Sequence, residues 1–81
     1  MPLVQVKLIE GVFSDAQKQE MIRNVTDAMV SIEGETMREV TLVIIEEVKS
    51  GCWGIGGKTL TTGDVNAMRG TGSPTPIGER S

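Results

Sequence analysis

The sequence predicts an α+β fold, one β-α-β unit followed by a C-terminal hairpin, on three observations. Residues 2–10 alternate apolar and polar side chains, residues 14–34 carry a capped helical stripe, and residues 40–48 are almost continuously apolar or β-branched. Alternation is the period of a half-buried strand. Three- and four-residue steps mark an amphipathic helix, and a short unbroken apolar run marks a strand covered on both faces.

The run from Pro2 to Glu10 puts Val4, Val6 and Leu8 on one face and Leu3, Gln5, Lys7 and Ile9 on the other. Gly11 ends it. Ser14-Asp15-Ala16-Gln17 has the Ser-x-x-Gln form of a capping box, with Asp15 complementing the helix N-terminus. Met21, Ile22, Val25, Ala28, Met29 and Ile32 form the apolar stripe, and Gly34 stops the helix. Val40–Val48 is the second strand. A strand, helix and strand in one short stretch predict a parallel, right-handed crossover.

Gly51–Gly57 is glycine-rich and reads as a turn with positive φ, with Lys58–Thr62 completing a hairpin. Thr62–Arg69 predicts a brief helical turn. Gly70–Ser81, with three glycines, two prolines and Ile77 as its one large apolar residue, predicts a mobile tail. The chain therefore divides into a β-α-β domain, 1–62, and a C-terminal extension, 63–81. One helix covers only one face of a two-stranded sheet, so the face bearing Leu3 and Ile9, and part of the second strand, stays wet in a monomer. A chain of 81 residues with no disulfide or metal staple is expected to oligomerise.

Composition narrows the chemistry. With no histidine and one cysteine, Cys52, the chain has no His-based acid/base, no Ser-His-Asp or Cys-His nucleophile and no common zinc site. A lone cysteine allows no internal disulfide, which fits a cytoplasmic protein. Eight basic and eleven acidic residues give a net charge of −3, the basic ones scattered. The aromatics are Phe13 and Trp53 alone, so neither a basic patch nor a stacking platform for nucleic acid exists. No run approaches the ~18 apolar residues of a membrane span, and the start lacks a signal-peptide layout, so no membrane partner is expected.

Pro2 is the first candidate for chemistry. Removal of Met1 would free a secondary amine at the start of a strand; with Met1 in place the nitrogen is an amide. An α-amino group titrates at about 8, and burial among apolar groups lowers that value. A neutral amine poised near the working pH is a good general base. Glu46 and Glu47 are adjacent and point to opposite strand faces, so they are not a paired-carboxylate site. Gly54-Ile55-Gly56-Gly57 lacks the GxGxxG spacing of a phosphate cradle. Trp53 taken alone fills a core or an interface, and Cys52 reads as structural.

Taken together these residues resemble the 4-oxalocrotonate tautomerase family over residues 2 to about 60. The likeness rests on Pro2 and its alternating strand, Leu8-Ile9-Glu10-Gly11, Ser14-Asp15-Ala16-Gln17-Lys18 through Ile22-Arg23, and Val43-Ile44-Ile45-Glu46-Glu47. Its most specific piece is Gly51-x-Trp53-Gly54-Ile55-Gly56-Gly57. The resemblance implies β-α-β units pairing into four-stranded sheets and a homo-oligomer, a hexamer built as a trimer of dimers. It implies processed Pro2 as the catalytic base, with no metal and no organic cofactor. The expected substrate is a small molecule, a carboxylate, of the kind met in aromatic compound degradation. Trp53 matches the family's aromatic position beside the proline.

The sequence departs from the family at two arginine positions. Gly11-Val12-Phe13-Ser14 is one residue longer than the family's turn and has no cation, and Leu42 falls where the second arginine stands. A dicarboxylate would thereby lose two charge-assisted contacts of ~1.5–3 kcal/mol each. Arg38, just before the second strand, then becomes the candidate cation, with Arg23 and Arg69 also available. Trp53, Arg38 and Leu42 are the candidate substrate-binding residues. Two alternatives stand beside the tautomerase reading: hydration or dehalogenation with a protonated Pro2 and water activated by Glu46 or Glu47, and a non-catalytic or partner-dependent subunit of a hetero-oligomer.

Overall fold

The computed structural model describes residues 1–70. Strand β1 (Leu3–Ile9) is followed by helix α1 (Asp15–Glu33), a 3₁₀ helix (Glu35–Val40), strand β2 (Leu42–Val48), strands β3 (Trp53–Ile55) and β4 (Lys58–Leu60), and helix α2 (Thr62–Arg69). β1 and β2 pair in one two-stranded sheet, β3 and β4 in another. The tail expected beyond Gly70 lies outside the described residues.

Two backbone hydrogen bonds set the direction of the first sheet. Leu42 N–H donates to the Pro2 carbonyl at 3.0 Å, and Glu10 N–H donates to the Val48 carbonyl at 2.8 Å. Start meets start and end meets end, which is the parallel pairing a helical crossover requires. α1 begins as its sequence dictates. The Ser14 hydroxyl accepts from Gln17 N–H at 3.1 Å, and the Gln17 side chain accepts from Ser14 N–H at 2.9 Å. Two otherwise orphaned donors are thereby satisfied.

The described residues gather into two compact units: Met1–Lys7 with Phe13–Glu46, and Leu8–Val12 with the described residues from Glu47 onward. In the first unit α1 buries Val30 at 6% exposure and half-buries Lys18, Met21, Val25, Thr26, Met29 and Glu33. Ile32, expected in that stripe, is instead 87% exposed. The helix ends at Gly34, whose φ is +105°, and Thr41 binds the Glu33 carboxylate. The buried side of the last turn is therefore that of Val30 and Glu33, and Ile32 is left outside.

The second strand also starts later than its apolar run. Residues expected to open it form the end of the 3₁₀ helix, closed by Met37 N–H to the Gly34 carbonyl (3.1 Å) and Thr41 N–H to the Arg38 carbonyl (3.3 Å). Val40 is consequently no strand residue, and β2 begins at Leu42. The face carrying Leu3, Leu42 and Ile44 is open in the single chain, at 51%, 43% and 41% exposure, so β2 is covered on one face only.

In the second unit the hairpin turns on Gly56 and Gly57, with φ of +59° and +85°. A two-residue turn with φ positive at both positions has the twist of type I′, which aligns Trp53 with Leu60 and Ile55 with Lys58. α2 is a full two-turn helix rather than a brief turn. Thr61 and Asp64 exchange hydrogen bonds of 3.1 and 3.0 Å, a second capping box whose Thr-x-x-Asp signature stands in the sequence.

This unit also overturns the expectation for Ile9, which is buried at 5% exposure rather than left wet with Leu3. The reason is at its neighbour Glu10. The Glu10 carboxylate accepts Ser50 N–H at 2.9 Å, its carbonyl accepts the Thr62 hydroxyl, and Thr62 N–H donates to Ser50 Oγ at 2.9 Å. The loop before β3 and the start of α2 therefore close onto the end of β1.

Gly11 is required there. Its φ is +77°, and a Cβ would sit 3.1 Å from Thr62 Cγ2. Gly11→Ala is expected to destabilise the fold by about 1–2 kcal/mol, from the left-handed backbone and the crowding of Thr62 together. Urea unfolding measures this, and an unchanged midpoint would show that the Thr62 closure carries no strain.

Candidate active site

Pro2 is positioned by strand pairing. Its carbonyl takes the first rung of the parallel ladder, from Leu42 N–H, and its ring is half-buried. Met1 precedes it at 80% exposure, so the peptide bond whose cleavage would free the Pro2 nitrogen leads into solvent. Leu42 is thus brought to Pro2 by backbone register. Along the same open face Lys7 Nζ meets Glu46 Oε1 at 2.7 Å. Glu46, a candidate water-activating carboxylate on the hydration reading, is in an ion pair.

Arg38 lies on the 3₁₀ helix that leads into Leu42. Its Nε donates to Glu35 Oε2 at 2.6 Å, Nη2 to Glu35 Oε1 at 3.4 Å and Nη1 to Asp27 Oδ1 at 2.8 Å. All three guanidinium nitrogens face carboxylates. Hydrogen bonding to Glu35, then to Asp27, pushes the Arg38 pKa up, and the hydrogen bond from Arg38 holds the Glu35 carboxyl below its ordinary 4.5. The Thr41 hydroxyl, next to Leu42, lies against the Met37 carbonyl at 2.7 Å and against the Glu33 carboxylate.

Trp53 belongs to the second unit, where it opens β3 opposite Leu60 and is half-buried. Cys52 beside it is an exposed free thiol. In that unit Arg69 Nη1 reaches the Val12 carbonyl at 3.3 Å, from the last turn of α2. Among the sequence-derived candidates, the structure brings Pro2 and Leu42 together, places Arg38 in a carboxylate clasp four residues before β2's first rung, and carries Trp53 on its own hairpin.

The sequence reading missed Asp27, Glu33, Glu35 and Thr41 as the residues that fix the approach to Leu42. Glu35-x-x-Arg38 is a visible i,i+3 ion-pair spacing. Asp27, eleven residues from Arg38, has no local signal.

Comparison with known proteins gives the family. The family model described as "Tautomerase enzyme" matches residues 2–63. "Probable tautomerase K2" of Dickeya dadantii is 36% identical over 61 residues, covering 75% of this chain and 90% of that protein. "Probable tautomerase SAV1363" of Staphylococcus aureus is 42% identical over 57 residues, 70% of this chain and 90% of its own. Among solved structures, a heterohexamer 4-oxalocrotonate tautomerase from Chloroflexus aurantiacus superposes with a TM-score of 0.65 at 29% identity, over 73% of this chain and 92% of that one. The chain belongs to the tautomerase superfamily, in its 4-oxalocrotonate tautomerase family. Among the described residues, no helix is long and apolar enough to cross a membrane.

The clasp carries a pH dependence. A carboxyl whose folded pKa is lowered stabilises the fold fully above its unfolded value, here 4.5, and that contribution is lost as pH falls through the folded value. The melting temperature of wild type is expected to drop more steeply than that of Glu35→Gln between about pH 5 and about pH 3. Parallel curves would show that the Arg38 pairing adds nothing to stability.

Proposed function

We propose that this chain is a cofactor-independent tautomerase, an isomerase in which Pro2, made N-terminal by removal of Met1, is the general base. The observation that carries this is a family match that begins at residue 2 and a backbone that fixes Pro2 at the first rung of the sheet. The Pro2 nitrogen takes the enol proton of a small keto–enol or unsaturated acid. The electron pair of that O–H bond forms the carbonyl, the conjugated π electrons shift, and the far carbon recovers a proton from the protonated amine. Nothing is gained or lost overall, so the reaction needs no redox partner.

A base in this role must be neutral at the working pH, and apolar neighbours disfavour its ammonium form. Leu42, paired to Pro2, and Leu3, next along β1, supply such surface. Trp53 is assigned to the substrate's apolar contacts, following the family's aromatic position. Arg38 was a candidate for the substrate's carboxylate, and its engagement with Glu35 and Asp27 bears on the substrate's charge.

The working form is proposed as a homo-oligomer, a hexamer arranged as a trimer of dimers. Among the described residues only Ile9 and Val30 are buried, and burial of a side chain of this size contributes about 1.5–3 kcal/mol. Further apolar burial is available at the open face of Leu3, Leu42 and Ile44.

The test is ultraviolet-monitored ketonisation of a small enol acid by protein whose Met1 removal is verified by mass. Pro2→Ala is expected to lower kcat about 10²–10⁴-fold with the oligomer intact, and protein retaining Met1 is expected to be similarly inactive. Full turnover by either form would overturn proline catalysis. An intact oligomer with no turnover from processed wild type would instead favour the non-catalytic or partner-dependent subunit.

A further inference from the structure

We infer that the Pro2 end of the chain selects a substrate carrying at most one negative charge, with an uncharged remainder seated toward Leu42; the inference rests on Pro2 as the reacting group. Three observations within the first compact unit carry it. Leu42, the residue bonded to Pro2 across the sheet, is apolar and 43% exposed, so the backbone register offers no cation there. The cation nearest in sequence, Arg38, has Glu35 on two of its nitrogens and Asp27 on the third. Two carboxylates against one guanidinium leave the cluster with a net negative charge, not a positive one.

The third observation is the charge of the segment as a whole. From Asp27 to Leu42 the ionisable residues are Asp27, Glu33, Glu35, Arg38 and Glu39, four carboxylates and one cation. Glu33 is held within a residue of Leu42 by the Thr41 hydroxyl. Of the unit's other cations, two are engaged by carboxylates of their own. Lys7 is paired with Glu46 at 2.7 Å, Lys18 with Asp15 at 3.3 Å, and Arg23 lies exposed on α1.

A substrate's first carboxylate can face solvent beyond Pro2, where water screens it, and it meets an ammonium once Pro2 has taken the substrate's proton. A second would meet the excess of carboxylates, and like charges at close range cost more where water is partly excluded. The far end of the substrate is therefore a methyl, alkyl or aryl group rather than another carboxylate.

Sorbate and trans,trans-muconate test this directly. They share a conjugated six-carbon chain and differ by a terminal methyl against a terminal carboxylate. Binding to the Met1-free oligomer is measured by calorimetry at low salt. Sorbate is expected to bind about tenfold more tightly, with the gap narrowing as salt screens the repulsion. Equal or tighter binding of muconate, or saturable binding of neither, would overturn the inference.

Two variants read the cause. Asp27→Asn with Glu35→Gln releases Arg38, and Leu42→Arg places a cation on the Pro2 rung by a separate route. Each is expected to move the preference toward muconate by about tenfold. A folded variant pair that leaves the ratio unchanged would remove the electrostatic basis. Pro2→Ala separates the two readings: retained turnover in that variant sinks proline catalysis, whereas the sorbate-to-muconate binding ratio still reports the charge selection on its own.

Discussion

The hydrogen bond from Leu42 N–H to the Pro2 carbonyl is the constraint on which the rest of the site depends. It is the first rung of a parallel ladder whose far end is Glu10 N–H on the Val48 carbonyl. Parallel strands in one sheet need a crossover, and α1 with the 3₁₀ helix supplies it. The same rung fixes Pro2, one residue before the first strand and close to the end of the chain, where backbones are normally freest. A terminal amine works as a positioned base only if its residue is held in this way. The fold thus converts an otherwise mobile end into a located group.

The approach to that rung is held by polar contacts rather than by core. Thr41 is tied back to Met37 and Glu33, and Arg38 to Glu35 and Asp27. The Arg38 pairs are solvent-exposed and so salt-sensitive. Their consequence for function is electrostatic. They employ the local guanidinium in holding the 3₁₀ helix, and they surround the entry to β2 with carboxylates. The residues that orient the strand are thus the ones on which the proposed charge selection rests.

How much could be read in advance followed the range of the interaction. The alternating strand from Leu3, the Ser14–Gln17 capping box, the glycine turn and the β-α-β order were legible because each is a local pattern with a fixed period or spacing. Pro2 was legible as a candidate because of its place behind Met1 and its family likeness. Ile32 and Ile9 were misassigned for a common reason. Their burial is decided by contacts outside their own element: the helix end at Gly34 with the Thr41–Glu33 bond for one, the closure of Ser50 and Thr62 on Glu10 for the other. Periodicity says which residues share a face but not what covers it.

The sequence by itself determined the elements and their order, the absence of histidine chemistry, and the apolar character of position 42. Only the tertiary structure decided that Leu42 stands on the Pro2 rung and that β2 starts there after a 3₁₀ helix. It also decided that Arg38 is shared between Glu35 and Asp27. A backbone period is written into neighbouring residues, whereas a charge partner eleven positions away, or a backbone partner forty positions away across a strand pair, is chosen by where the folded chain brings the two groups together.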